Sequence, residues 1–286
     1  MREEWFSLLR SLRSKLLHSA KVLESFPAVE GMERVYENGR CLYEGYQRAT
    51  PLKYGSLGDE VRRDPVYRKA VAAARLPDVR SMVVEVRFIN LFLLIKFFLR
   101  DLDSKNIIEF GAYRGGSAVF MAMLLAEYYP AARMLSLDTF AGLPELDKSV
   151  DKPPQDFLSF NLERTRATAR SLGLKNLEFV PGRIEDTAAG ACRDLRSIGL
   201  AHIDVVLYGA SVFAHNTAWQ YLTPGGYLVQ DDALEPTCPG ATLAVEEMIR
   251  ERGLSMEQVW PQIVFRGSGI AGAPPTVPHD PVEVEA

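Results

Sequence analysis

Cysteine is scarce in this 286-residue chain: Cys41, Cys192 and Cys238 are widely separated and form no C-x-x-C pair. That excludes a disulfide framework and a cysteine-based zinc site, and it suits a reducing compartment, so a cytoplasmic location is expected. Basic surplus is also missing. With 33 Lys and Arg against 37 Asp and Glu, the formal charge is -4, which argues against a nucleic-acid partner because phosphate contacts need a net basic face. Long hydrophobic runs are absent: the longest, Phe88 to Leu99, is too short for a bilayer and is interrupted by Asn90 and Lys96. It reads as a buried helix. The N-terminus carries basic residues but no continuous apolar stretch with a small-residue cleavage site, so no secretory signal is expected.

What is present is enough apolar residue, 47% of the chain against 24% charged, to bury a sizeable core as one large α/β domain with extra segments. Trp5, Leu8, Leu9, Leu12 and Leu16 recur at helical spacing within residues 1–24. An amphipathic helix is expected there, packed on the core or on a second subunit, with a membrane-surface helix as the alternative. Residues 25–80 mix short helical pieces with Gly31, Pro51, Gly55, Gly58 and Pro65 and read as a cap over a substrate pocket rather than as a sheet. The domain reading is therefore a helical cap over 1–80, also an oligomerisation segment, a cofactor-binding domain over 81–266, and a flexible Gly/Pro/acid tail over 267–286.

Strands are expected near 106–110, 133–138, 176–180, 202–208, 226–231 and 259–265, separated by helices at 116–128, 155–172, 187–197, 214–222 and 239–252. Strands joined through helices mean crossover connections, and so a doubly wound, mostly parallel sheet covered on both faces. At the end of the first strand stands Glu109-Phe110-Gly111-Ala112-Tyr113-Arg114-Gly115-Gly116-Ser117-Ala118, and the second ends at Asp138 before Thr139-Phe140-Ala141-Gly142-Leu143-Pro144. A strand that delivers an acid and a glycine turn to a helix start, followed by an acid after the next strand, is the pattern of a nucleoside site. The glycine spacing is not G-x-G-x-x-G, which disfavours a nicotinamide dinucleotide, and the acid suits a cationic amine such as that of S-adenosylmethionine. Asp138 can accept from ribose hydroxyls or cap its own turn. Farther on, Pro181-Gly182-Arg183-Ile184-Glu185-Asp186-Thr187 marks where an adenine would lie, with Asp186 equally a helix N-cap.

Asp204 in the fourth strand and Asp231-Asp232 after the fifth fall on the same edge of a parallel sheet. Clustered carboxylates repel unless protonated or bridged, and an oxygen-only set suits magnesium or calcium. Capping of the following loop by Asp231-Asp232 is the competing reading.

Together EFGAYRGGSA, LDTFAGLP, PGRIEDT, the Asp204 strand, LTPGGYLVQDDA and PGATLAVEEM resemble the macrocin O-methyltransferase family over residues 85–265. The resemblance implies a seven-stranded Rossmann-like sheet with a reversed last hairpin, S-adenosylmethionine as cofactor, a homo-oligomer, and magnesium-dependent O-methylation of a small natural-product intermediate. Asp204, Asp231 and Asp232 fall on the family's metal positions. Glu109, Gly111, Ser117 and Asp138 fall in its cofactor motifs, and the same segments add Ala112, Tyr113, Thr139, Phe140, Gly182, Glu185 and Asp204 as expected cofactor contacts.

One segment departs from the family. Where its pattern runs Leu-Asp-Gly-Asp-x-Tyr-Glu-Ser-Thr, this chain reads Ile203 to Ser211 as IDVVLYGAS, so the second acid is Val206 and the Glu-Ser pair is Gly209-Ala210. No general base stands where the resemblance places one. Asp204, Tyr208 and His215 are the candidates, and an acidic phenol or enol as acceptor would need none. Two further readings follow from the gap: altered chemistry, such as N-methylation or ring closure without methyl transfer, and a catalytically silent scaffold.

Overall fold

The computed structural model describes residues 56–151, 161–235 and 237–267, and the backbone of four short strands within 34–51. The expected helix over 1–24 and the tail beyond 267 lie outside the described residues. Within 34–51 the backbone pairs as two short antiparallel ladders, β1 (Arg34–Glu37) with β2 (Arg40–Tyr43) and β3 (Tyr46–Gln47) with β4 (Thr50–Pro51). Helical pieces were expected there.

The core sheet is built from β5 (Ile107–Phe110), β6 (Met134–Asp138), β7 (Leu177–Pro181), β8 (Ile198–Ile203), β9 (Leu222–Gln230) and β10 (Ile263–Arg266). Its order is β10-β9-β8-β5-β6-β7, with every pairing parallel except β10 with β9. Both β5 and β8 are buried at every position, as expected of strands with a helical layer on each face. One layer holds α1 (Ser56–Arg63), α2 (Pro65–Ala74), α3 (Glu85–Leu93) and α4 (Gly116–Tyr128), whose Phe88, Phe92 and Phe120 join the core cluster there. On the other face α6 (Ile184–Leu195), α7 (Tyr208–Trp219) and α8 (Pro239–Arg252) pack on β5, β8 and β9. The helix α5 (Leu162–Ser171) starts at an N-cap, Asn161, that accepts from the Glu163 and Arg164 amides.

Three sequence expectations change. The described sheet has six strands, not seven: the place of the seventh is taken by a single antiparallel bridge, Gln258 to Val264, too short to extend the ladder. The fourth strand spans Ile198–Ile203 instead of 202–208. It includes Gly199, where a β-carbon would lie 2.3 Å from the Ser104 carbonyl oxygen, so the glycine admits a neighbouring segment inside the strand. Val205–Leu207, which reads as strand, is the connection into α7. Finally, the apolar run from Phe88 is helical throughout but α-helical only to Leu93, continuing as a π-helix over Leu94–Phe98 and a 3₁₀ turn over Leu99–Asp101, which leaves Phe97 and Phe98 exposed. No described helix is long and apolar enough to cross a membrane.

The strand order turns outward in both directions from the β5–β8 pair, which makes the carboxyl ends of those strands a topological switch point, the position where such sheets hold ligands.

Candidate active site

A cavity of about 320 Å³ opens at that switch point. Its floor is the turns that follow β5, β6, β8 and β9, and its roof is Arg80–Val84 with Arg87 of α3. Of the residues expected at a nucleoside, Gly111, Ala112, Tyr113, Ser117, Asp138, Thr139, Glu185 and Asp204 line it; Glu109, Phe140 and Gly182 do not. Glu109 is fully buried beneath the floor. Phe140 is buried edge-on against Phe179, their ring centres 6.0 Å apart, and Gly182 donates its amide to the Asp138 carbonyl.

The glycine turn has a reason internal to the protein. Gly111 sits at φ +94°, and Gly116, which opens α4, would drive a β-carbon to 2.4 Å from the Val79 carbonyl oxygen. These glycines let segments of the chain close on one another, and the resulting surface then faces the cavity. Asp138 accepts from the Tyr113 amide at 2.7 Å and the Phe140 amide at 2.8 Å, so it caps its turn and ties it to the β5 turn while also lining the cavity. Burial raises its pKa against the opposing pull of those two amides. Asp186 is no N-cap: Arg183 holds that position, and Glu185 and Asp186 fall in the first turn of α6.

At the other end of the cavity one carboxylate oxygen from each of Asp204, Asp231 and Asp232 lies within 4.8 Å of the others. The capping alternative for Asp231 is not seen, since its side chain caps nothing on the 3₁₀ turn Asp232–Leu234. Arg87 reaches this cluster from the roof. Its guanidinium donates to Asp231 Oδ2 at 2.6 Å and Glu235 Oε1 at 2.5 Å, and it lies 3.8 Å from Asp232 Oδ1. Beneath, His202 is locked between Glu109 and Asp231, at 3.1 and 3.4 Å. Burial works against its charge, but hydrogen bonds to the two acids push its pKa up to about 10.

The cluster still carries excess negative charge. Counted formally, Glu109, Asp204, Asp231, Asp232 and Glu235 contribute five negative charges, and His202 and Arg87 two positive ones. Burial raises Asp231's pKa less than Arg87, His202 and Gln262 lower it, so this acid stays ionised well below the usual range. The other two are pushed the opposite way: burial with Asp231 and Asp232 raises Asp204 well above the usual range, and burial with Asp231 brings Asp232 to about 7. Among the described residues no hydrogen bond or ion pair reaches the Asp204 carboxylate. Surplus carboxylates that are hard oxygen donors, Asp204 among them without a partner, fit a divalent cation such as magnesium.

Between the two ends the wall is apolar: Val205, Val206, Leu207 and Ala210 all line the cavity. The other base candidates lie elsewhere. Tyr208 is absent from the lining; its hydroxyl donates to Glu247 at 2.6 Å, and that bond, with burial, pushes its pKa up to about 12. His215 is buried behind β9 on Gln230 Oε1 at 2.7 Å, and burial lowers it to about 4. Of the aromatic residues Tyr113, Phe140, Trp219 and Trp260, only Tyr113 lines the cavity.

Arg87 and His202 were not read from sequence. The only signal was a cation in the largely apolar run VRFINLFLL and a lone imidazole in the strand LAHI.

The Macrocin-O-methyltransferase (TylF) family matches residues 56–261. The 8-demethyl-8-(2,3-dimethoxy-alpha-L-rhamnosyl)-tetracenomycin-C 4'-O-methyltransferase of Streptomyces olivaceus is 31% identical over 172 residues, 56% of this chain but only 65% of that protein's length. Mycinamicin III 3''-O-methyltransferase of Micromonospora griseorubida is 27% identical over 194 residues, 63% of this chain and 74% of that one. In fold, the chain is similar to the O-methyltransferase NovP (TM-score 0.58, 20% identity, 74% of this chain and 95% of that one). It is also similar to the calicheamicin methyltransferase CalS11 (TM-score 0.53, 20% identity, 73% and 89%).

Proposed function

The chain belongs to the macrocin O-methyltransferase family, and from that premise we propose that it transfers a methyl group from S-adenosylmethionine to a hydroxyl of a natural-product intermediate. The observation that carries this reading is the single cavity that joins the Gly111–Ser117 turn and Asp138 to Asp204, Asp231 and Asp232. The relatives' names, a tetracenomycin 4'-O-methyltransferase and a mycinamicin 3''-O-methyltransferase, support a hydroxyl acceptor on a glycosylated intermediate.

Asp138 and the turn after β5 hold the nucleoside end, and Ser81–Val84 close it from above. Asp204, Asp231 and Asp232 would hold magnesium, which when bound lowers the acceptor hydroxyl's pKa and orients it. The chain's own residues do the rest by placement: the apolar wall Val205–Leu207 and Ala210 excludes water between the two ends, where an in-line displacement needs donor and acceptor held in contact. Tyr208 and His215 take no part as bases. Asp204 remains the only one of the three candidates within the cavity.

Purified protein incubated with S-adenosylmethionine, magnesium and hydroxylated acceptors should yield products heavier by one methylene together with S-adenosylhomocysteine. Chelator and Asp231→Ala should abolish both. Products formed without that mass gain and without S-adenosylhomocysteine would favour the second reading, altered chemistry at this site, which the apolar residues at Val206 and Leu207 support. A protein that binds neither cofactor nor acceptor would fit a scaffold.

A further inference from the structure

A hydrogen-bonded chain of buried side chains runs under the acidic cluster and ties it to the strand that carries the glycine turn. Ser136, Glu109 and His202 are Cα partners across β6, β5 and β8, so the sheet register alone puts their side chains on one face. Ser136 Oγ donates to Glu109 Oε2 at 2.5 Å, His202 Nδ1 faces Glu109 Oε1, and His202 Nε2 faces Asp231 Oδ1. The strand alternation brings Asp231, the first residue beyond β9, over His202. Gln262, just before β10, donates to the same oxygen and is itself held by the Asn90 amide at 2.9 Å.

The consequence is an uneven Asp231. A carboxylate oxygen accepts through two lone pairs. Oδ1 already receives His202 and Gln262, whereas Oδ2 receives Arg87 alone. Only Oδ2 keeps a lone pair to offer a cation.

We propose that His202 is a positioning residue for the metal end of the site: by filling Asp231 Oδ1 from below, it restricts Asp231 to single-oxygen coordination through Oδ2 and fixes that carboxylate relative to the cofactor turn. The inference rests on the reading that Asp204, Asp231 and Asp232 hold a divalent cation. Partners of this kind orient carboxylate ligands, and their loss typically weakens metal affinity about 10–100-fold.

The two nitrogens of His202 can be removed one at a time. His202→Gln places an amide near the former Nε2 and keeps the bond to Asp231, while His202→Asn reaches only toward Glu109. Mn²⁺ affinity, read by electron paramagnetic resonance of the free ion, should weaken at least about 10-fold in His202→Asn and stay close to wild type in His202→Gln. Gln262→Leu, which removes the second donor to the same oxygen, should weaken Mn²⁺ as His202→Asn does and serves if a histidine variant fails to fold. S-adenosylhomocysteine affinity, measured by calorimetry on the same samples, should be unchanged throughout. Wild-type Mn²⁺ affinity in both His202→Asn and Gln262→Leu would overturn this assignment alone. Equal weakening of Mn²⁺ and of S-adenosylhomocysteine would also overturn it, by showing a general structural role. Absence of Mn²⁺ binding by the wild-type protein would overturn the metal reading and this inference with it.

Discussion

The carbonyl oxygen of Asp204 lies 1.9 Å from where a β-carbon on Gly111 would stand. The residue that opens the nucleoside turn is thus a glycine because the end of β8 passes against it, and this contact brings the cofactor end and the acidic end together. Gly111→Ala meets both that backbone and a positive φ, so neither a rotamer change nor a small shift relieves it. The variant should lose about 3 kcal/mol or more in urea denaturation, and a loss below about 0.5 kcal/mol, within the range of neutral surface changes, would contradict the packing account.

Arg87 crosses from the roof to acids that lie 144 and 148 positions later in the chain. Its side chain is 12% exposed and that of Asp231 2%, so Arg87→Met leaves buried carboxylates uncompensated and should cost about 3 kcal/mol. Magnesium should restore more stability to the variant than it adds to wild type, because the emptied site is more negative and native-state binding adds stability by mass action. Thermal melts with and without magnesium check both parts. An unchanged melting temperature, or equal magnesium effects, would tell against the charge count.

Tyr208 was a base candidate on sequence, but its proton is committed to Glu247 outside the cavity. Tyr208→Phe should keep kcat/KM within about twofold and lose about 1 kcal/mol, the worth of one hydrogen bond. A hundredfold fall in kcat with the fold intact would return the hydroxyl to the reaction.

His215 offers a test by pH. Burial, helped by Arg252 and opposed by the bond to Gln230, holds it at about 4, against 6.5 for an unperturbed imidazole. On acidification the unfolded chain therefore takes up the proton first. The stability that the neutral ring contributes is complete above about 6.5 and is lost as pH falls towards 4, a span worth about 3 kcal/mol. The stability gap between wild type and His215→Asn should be constant from pH 7 to 8 and shift in the variant's favour between 6.5 and 4. A gap independent of pH throughout would show that the ring titrates normally.

The sequence readily revealed those parts of the site written as contiguous motifs at strand ends: the turn from Gly111 to Ser117, Asp138, and the pair Asp231-Asp232 all line the cavity. Single polar residues inside apolar patterns were silent. Arg87 in α3, His202 in β8 and Gln262 before β10 acquire meaning only through partners that the sheet order brings near, and local periodicity carries no trace of them. The same blindness shifted the fourth strand. Gly199 lies inside the strand, and Val205-Val206-Leu207 read as strand because an apolar cavity wall imitates the local signal of a buried strand. Seven strands followed from family resemblance, and the short stretch from Gln258 to Ile263 leaves room for only a bridge.

The measurement that bears most directly on the account is calorimetric titration of S-adenosylhomocysteine into the wild-type protein in magnesium buffer. One molecule should bind per chain in the micromolar range, and added EDTA should leave that affinity largely intact while abolishing methyl transfer. No binding at millimolar ligand would contradict the reading of the cavity as a methyl-donor site.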